Sequence, residues 1–349
     1  MKKRPTVIIT DFATEPLDCE RQILGDLADV VALNARNESE LTGRIEDADA
    51  IMMYHCLSIS ELTLNSLKHC RLIVRCGVGF DNVDRAAARR CGIPVANVPD
   101  YGTEDVADSA LGMALSLARG THFLNRQLQN EQGPWSYTQV RPVPRLRGRT
   151  FGIVGLGRIG IAAALRAKAF GMVVAFYDPY VSDGYEKSLG LLRSETLQSL
   201  LAESHVVSAH CPLTDETRLL LDHDTIAQMP RGSILINTAR GGIVNVLAVL
   251  DAIERGHLAG AGIDVLETEP PPNDHPLLLA WRDPAHPAHA RLILNPHAAF
   301  YSEEGLMDMR IKGSTNCRRA LLGQPLRNVV NSWISSCPTP GWSTHQSKT

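Results

Sequence analysis

Short β-branched runs alternate with stretches of helical spacing along most of the chain. In a first block the apolar runs lie at 6–10, 28–33, 49–55, 71–77 and 93–98, with helix-like segments at 17–27, 58–70 and 82–92 between them. Such alternation predicts a parallel, doubly wound sheet. From Thr103 to about residue 130, Val106, Ala107, Ala110, Leu111, Ala114 and Leu117 recur at helical spacing and predict one long helix. The proline- and glycine-bearing stretch 133–148 ends that pattern. A second block restarts at Thr150, with apolar runs at 150–155, 172–178, 205–211, 232–239, 259–267 and 291–297. A last helix is expected at about 303–322. Residues 331–349, with proline and glycine in "PTPGW" and little apolar periodicity, are expected to form a poorly ordered tail.

The turn after the run at 150–155 is chemically the most informative. Gly155, Gly157 and Gly160 form a G-x-G-x-x-G motif with a strand before it and an alanine-rich helix after it. The first glycine permits a tight turn. The second lets a pyrophosphate approach the backbone, and the third lets helix and strand pack closely. The helix N-terminus then directs N–H groups and a partial positive charge at the phosphates. Asp178 ends the next strand, 18 residues beyond Gly160. An acid there accepts hydrogen bonds from the adenosine ribose and repels a 2′-phosphate, and no arginine follows it, so NAD is expected rather than NADP.

Parallel sheets deliver ligand-binding residues at the carboxyl ends of their strands. In the second block those ends carry Arg240, Asp264 and His297, with Glu269 just before Pro270. Arginine's planar fork matches a carboxylate and keeps its charge. A carboxylate beside an imidazole orients the ring and stabilises its charged form, which makes a general acid–base unit. Pro296 has no N–H and stops the last strand, so His297 emerges on the cofactor edge.

Composition narrows the remaining classes. The 349 residues suggest two domains. A net charge of −3 without a basic stripe argues against nucleic-acid binding. No apolar run approaches a membrane span, and "KKR" at 2–4 precedes too short an apolar run for a signal peptide, so neither membrane nor secretion is expected. The eight cysteines are scattered without a CxxC pair, as in reduced cytoplasmic proteins. His286 and His289 have no further ligand in register, so no metal is expected.

At these motifs the chain resembles the D-isomer-specific 2-hydroxyacid dehydrogenase family over roughly residues 5 to 330. The likeness rests on "RCGVGFDNVD" (75–84), "GIVGLGRIG" (152–160), "HCPLTDETRLL" (210–220), "INTARGGIV" (236–244), "DVLETEP" (264–270) and "NPHAAF" (295–300). "LRAKAFG", "FYDPYVSDG" and "HAAFYSEE" look most like its C-terminal-binding-protein branch. The resemblance implies two doubly wound α/β domains. A Rossmann NAD-binding domain, 103–298, would be inserted in a flavodoxin-like substrate domain made of 1–102 and 299–330, with a cleft between them. It implies hydride transfer between NADH and the C2 carbonyl of a 2-keto acid. His297 would act as acid/base, Glu269 as its partner and Arg240 as the group holding the carboxylate and polarising the carbonyl. Backbone N–H groups of Cys76, Gly77, Val78 and Gly79 would meet the substrate carboxylate, with Arg75 and Tyr54 lining that side and Phe300 shaping the pocket wall. Val106, Arg158, Ile159, Asp178, Cys211, Pro212, Thr217, Thr238, Ala239, Asp264 and Ala298 match the family's NAD contacts alongside the three glycines, Arg240 and His297. Asp264 would face the nicotinamide carboxamide. The helix from Thr103 and the arm after it would form a homodimer.

Two departures qualify the likeness. Corepressor-type members carry tryptophan where this chain has Phe300, and serine where it has Val78. Their substrate preference therefore does not transfer, and their peptide-binding role is not expected. Two readings stand beside the dehydrogenase: an NAD-sensing, corepressor-like dimeric scaffold, and the same fold acting on another hydride donor such as phosphite, formate or a phosphorylated hydroxy acid.

Overall fold

The computed structural model describes residues 4–332. The chain divides into two compact units, one built from residues up to Gly102 and from Ser302 onward, the other from Thr103 to Tyr301. The second boundary thus falls three residues beyond the one expected from the sequence.

In the first unit five short strands form one parallel sheet: β1 (Thr6–Ile9), β2 (Asp29–Ala32), β3 (Ala50–Met53), β4 (Ile73–Arg75) and β5 (Val95–Asn97). Their order is β2-β1-β3-β4-β5, the flavodoxin-like winding, which reverses between β1 and β3. β3, β4 and β5 are buried along their whole length, which is why they read as unbroken apolar runs rather than alternating ones. One face packs Ile8, Ile51, Met53, Ile73 and Val95 into a core. The helix Glu303–Leu321 returns onto this unit. Gly313 permits its approach, because a Cβ there would lie 2.6 Å from Cys76 Sγ and 2.9 Å from Met52 Cε. Arg310 of that helix donates to both oxygens of the fully buried Glu20 at 2.6 Å, tying it to the helix Asp18–Leu24. Asn331 does not belong to a tail. It is buried, accepting from Val95 N at 2.8 Å and donating to Ile93 O at 2.9 Å. The rest of the expected tail, 333–349, lies outside the described residues.

The second unit has seven parallel strands: β6 (Thr150–Val154), β7 (Val173–Tyr177), β8 (Leu192–Arg193), β9 (Val206–Ala209), β10 (Ser233–Asn237), β11 (Leu258–Ile263) and β12 (Leu292–Leu294). The order β12-β11-β10-β9-β6-β7-β8 reverses between β6 and β9, as in a Rossmann sheet. β8 escapes the sequence pattern because it is two residues long and sits at an edge. Apolar side chains cover both faces, Leu235 and Ile263 in one core, Phe151, Ile153 and Phe176 in the other. Glycines let the helix Thr103–Arg119 close on the sheet. A Cβ on Gly262 would lie 2.8 Å from Met113, and one on Gly260 2.9 Å from Leu117 Cδ2. The expected single helix from Thr103 is broken. Gly120 adopts φ 66°, where helical hydrogen bonding cannot continue, and a separate helix, Thr121–Gln129, follows. Among the described residues no helix is long and apolar enough to cross a membrane.

Candidate active site

Because the seven strands of the second unit all run parallel, the segments leaving their carboxyl ends emerge on one edge. The glycine motif leaves β6 there. Gly155 turns at φ 96°, and a Cβ on it would lie 2.6 Å from the backbone nitrogen of Cys211, at the reversal point of the sheet. Gly160 lies under Gly155, where a Cβ would meet its carbonyl oxygen at 2.2 Å. Gly157 is different: a Cβ there meets nothing within 4 Å. Gly157 also caps the helix Arg158–Ala169 without any side-chain hydrogen bond, so no side-chain cap takes up the first-turn N–H groups. Arg158 is exposed at that terminus and Ile159 half-buried.

Asp178 follows β7. One of its oxygens accepts from Leu156 N at 2.8 Å and the other from Tyr180 N at 2.9 Å, so it ties the glycine loop to its own loop. After β9, Cys211 is buried, and burial pushes its thiol up to about 12. Pro212 is exposed. Thr217 is fully buried and held by its own loop, donating to Pro212 O at 2.6 Å and accepting from Thr214 N at 2.8 Å. Burial lowers His210 to about 4, so this ring is neutral near pH 7. Val106 is buried on the helix Thr103–Arg119.

The loop after β10 is organised by Asn237. Its side chain accepts from Ala239 N at 3.1 Å and donates to Arg240 O at 2.9 Å. Thr238 Oγ1 is buried and has no hydrogen-bond partner, an unspent polar atom on the cofactor edge. Arg240 Nη1 donates to Ala239 O at 2.7 Å. Gly241 then lets this loop lie directly against the next one: a Cβ on it would sit 1.9 Å from the carbonyl carbon of Leu266 and 2.3 Å from Glu267 N.

That second loop leaves β11 and carries both carboxylates. Asp264 is buried, and one oxygen accepts from Ala298 N at 2.8 Å and Ala299 N at 3.0 Å. Its backbone carbonyl accepts from His297 N at 2.8 Å. Burial raises its carboxyl above the usual range, against the lowering pull of those two N–H groups. Glu269 accepts from Leu266 N on one oxygen at 2.8 Å and meets His297 Nδ1 with the other at 2.6 Å. His297 has φ 51°, unusual for a side chain with a Cβ and costing about 1–3 kcal/mol. The three hydrogen bonds that the N–H groups of residues 297–299 donate to Asp264 hold it there. The ring stands edge-on to Phe300, centroids 6.0 Å apart. Arg240, Asp264, Glu269 and His297 thus share one edge with the glycine motif.

The positions expected to meet substrate in the other unit are placed less uniformly. Tyr54 is fully buried, its ring 5.1 Å from Phe12. Arg75 is buried, with Nε 3.5 Å from Asn82 Oδ1, and Gly77 leaves room for its guanidinium, since a Cβ there would overlap Nη1. Of the four N–H groups from Cys76 to Gly79, two are already spent: Cys76 N donates to Met53 O and Gly77 N to Arg75 O. Those of Val78 and Gly79 meet no acceptor among the described residues. Sequence reasoning passed over Asp11. This buried acid accepts from Tyr54 N at 2.8 Å and Cys56 N at 2.9 Å, so it shapes the loop after β3. Its only signal was an acid directly behind an apolar strand. His286 bonds Glu254 and His289 bonds Trp281 O.

The edge suits a dinucleotide: open space at Gly157, an uncapped helix terminus, an acid at the end of β7 and an unspent hydroxyl at Thr238. Residues 111–299 match the model of the D-isomer specific 2-hydroxyacid dehydrogenase NAD-binding domain. Over its length the chain is 33% identical to C-terminal-binding protein 1 of Caenorhabditis elegans, covering 94% of this chain and 45% of the relative. It is also 33% identical to D-3-phosphoglycerate dehydrogenase of Bacillus subtilis, covering 87% and 55%. It therefore spans about half the length of the curated relatives it matches. The structure of D-lactate dehydrogenase from Aquifex aeolicus, complexed with NAD and lactic acid, superposes with a TM-score of 0.82 at 28% identity, covering 94% of this chain and all of that one. The chain belongs to the D-isomer-specific 2-hydroxyacid dehydrogenase family, and its second unit carries that family's NAD-binding domain.

Proposed function

We propose that the protein is an NAD-dependent oxidoreductase that interconverts a 2-keto acid and a D-2-hydroxy acid. The observation that carries this reading is the 2.6 Å contact between His297 Nδ1 and Glu269 on the carboxyl edge of the dinucleotide-binding sheet. Glu269 is itself fixed by Leu266 N, so it orients the ring rather than following it. With Nδ1 committed to the carboxylate, proton exchange falls to Nε2, which gives a proton to the C2 oxygen in reduction and takes it back in oxidation. NAD, when bound, supplies the hydride donor or acceptor for C2. Gly155, Gly157, Gly160 and Asp178 would hold its adenosine diphosphate half, with Thr238 and Asp264 toward the other end. Arg240 binds the substrate carboxylate and polarises the carbonyl as negative charge grows on its oxygen. Phe300, edge-on to His297 in the same unit, is assigned to the wall around the substrate side chain.

The protein is also proposed to act as a homodimer through its NAD-binding unit. Supporting this, the segment after Gly120 leaves Leu128, Trp135 and Tyr137 well exposed. The functional test is NADH oxidation by a panel of 2-keto acids with apolar, aromatic, dicarboxylic and phosphorylated side chains. Stereospecific formation of the D-hydroxy acid from at least one member is expected. Tight NADH binding without turnover on any member would overturn the reading.

A further inference from the structure

One hydrogen bond on the cofactor edge has no part in the proposed reaction. The hydroxyl of Tyr180 donates to Glu216 Oε2 at 2.5 Å. Tyr180 lies in the loop leaving β7 and Glu216 in the loop leaving β9. Those strands are not neighbours, because β6 runs between them. Strands flanking a third are about 9.5 Å apart, a gap that a tyrosine and a glutamate together can bridge. The bond therefore spans the carboxyl end of β6, where the segment Gly155 to Gly160 emerges.

Both ends of the span are anchored. Asp178 accepts from Tyr180 N with one oxygen and from Leu156 N with the other. Thr217, next to Glu216, is fully buried and fixes its loop through Pro212 O and Thr214 N. The side-chain bond joins the two anchored loops across the gap. Glu216 also pushes the Tyr180 hydroxyl up to about 12, so it remains a donor across the neutral range.

We propose that Tyr180 and Glu216 form a clasp over the adenosine half of the bound dinucleotide, and so are positioning residues that retain the cofactor. This rests on the NAD-binding domain assigned above. The clasp joins the loop that carries the ribose-facing acid to the loop across the phosphate-binding turn. Adenosine can enter or leave that space only with the bond open, and dissociation waits for the opening. Both side chains are exposed, so the bond stands at the modest end of hydrogen-bond strength.

The test is stopped-flow dissociation of NADH from the full chain, with equilibrium binding of ADP-ribose and nicotinamide mononucleotide as probes of the two halves. Tyr180→Phe keeps the ring and removes the donor. It is expected to release NADH roughly 3- to 10-fold faster. Glu216→Gln keeps a neutral acceptor and should fall between this variant and the native protein. The double variant should release NADH no faster than Tyr180→Phe alone. ADP-ribose affinity should weaken while that for nicotinamide mononucleotide and the melting temperature stay native. Native release rates in Tyr180→Phe, or equal weakening of both half-ligands, would overturn the clasp. A native protein that binds no NADH would instead remove the cofactor assignment, and the clasp with it.

Discussion

Gly241 is the joint between the arginine loop and the loop that carries Glu269. Replacing it with alanine puts a Cβ 1.9 Å from the carbonyl carbon of Leu266, 2.2 Å from its oxygen and 2.3 Å from Glu267 N. All three are backbone atoms, so no side chain can swing aside. Ordinary contact begins near 3.4 Å, so the loops must part by about 1.5 Å, that is 3.4 Å less 1.9 Å. Leu266 N holds one oxygen of Glu269 at 2.8 Å, and the other oxygen holds His297 at 2.6 Å. A displacement of that size breaks the second bond and turns the imidazole loose. Misplacement of a reacting group by about 1 Å costs on the order of 100-fold in rate. For Gly241→Ala we therefore expect kcat/KM for the best 2-keto acid to fall by about that factor. Stability should drop by about 1–3 kcal/mol from overpacking. NADH affinity should fall by less than kcat/KM, because the glycine motif and Asp178 lie on other loops while Thr238 and Asp264 flank the displaced joint. Steady-state kinetics, NADH fluorescence titration and thermal melting separate the three. A variant with native turnover and native melting would refute the coupling of the two loops.

The motif glycines should separate in the same way. Gly157→Ala adds a Cβ to open space and should melt like the native protein while binding NADH at least about 10-fold more weakly. Gly160→Ala forces a Cβ to within 2.2 Å of Gly155 O and should lose about 1–3 kcal/mol of stability, seen in urea unfolding; the reverse pattern would sink the assignment of the open space to a ligand. Asp264→Ala strips the acceptor from Ala298 N and Ala299 N and should cost about 2 kcal/mol or more, with loss of turnover as His297 leaves φ 51°. Unchanged unfolding would show that the turn holds itself. Cys56 is exposed, yet partial burial and then the charge of Asp11 push its thiol up to about 11. At pH 8 its thiolate fraction is roughly 100-fold below that of an ordinary cysteine, so mass spectrometry should find it largely unalkylated by brief iodoacetamide treatment, with labelling rising toward pH 11.

Much of the candidate site was legible in the sequence because strand ends are legible. An apolar run that stops at a glycine, an arginine or a proline marks its own carboxyl end, and parallel sheets bring all such ends to one edge. That logic reached Gly155, Arg240, Asp264 and His297. What it missed depends on contacts far apart in the chain. β8 is too short and too near the edge to leave an apolar pattern. Gly120 looks like an ordinary helical residue until its left-handed φ splits the helix. Asp11, in the loop after β1, organises residues 54–56, and its position behind an apolar run does not say which segment it holds. Gly241 reads as mere flexibility beside an arginine, whereas its missing Cβ is what lets two loops touch. Cys76 and Gly77 were expected to offer N–H groups to a ligand, but the fold has already taken both.

In the proposed reaction His297, oriented by Glu269, moves the proton. The most direct measurement is kcat/KM of His297→Ala with the best 2-keto acid, alongside its NADH dissociation constant. A loss of about 10²- to 10⁴-fold in kcat/KM is expected, with NADH affinity near the native value. Turnover within a few-fold of native in a variant that still binds NADH would contradict it.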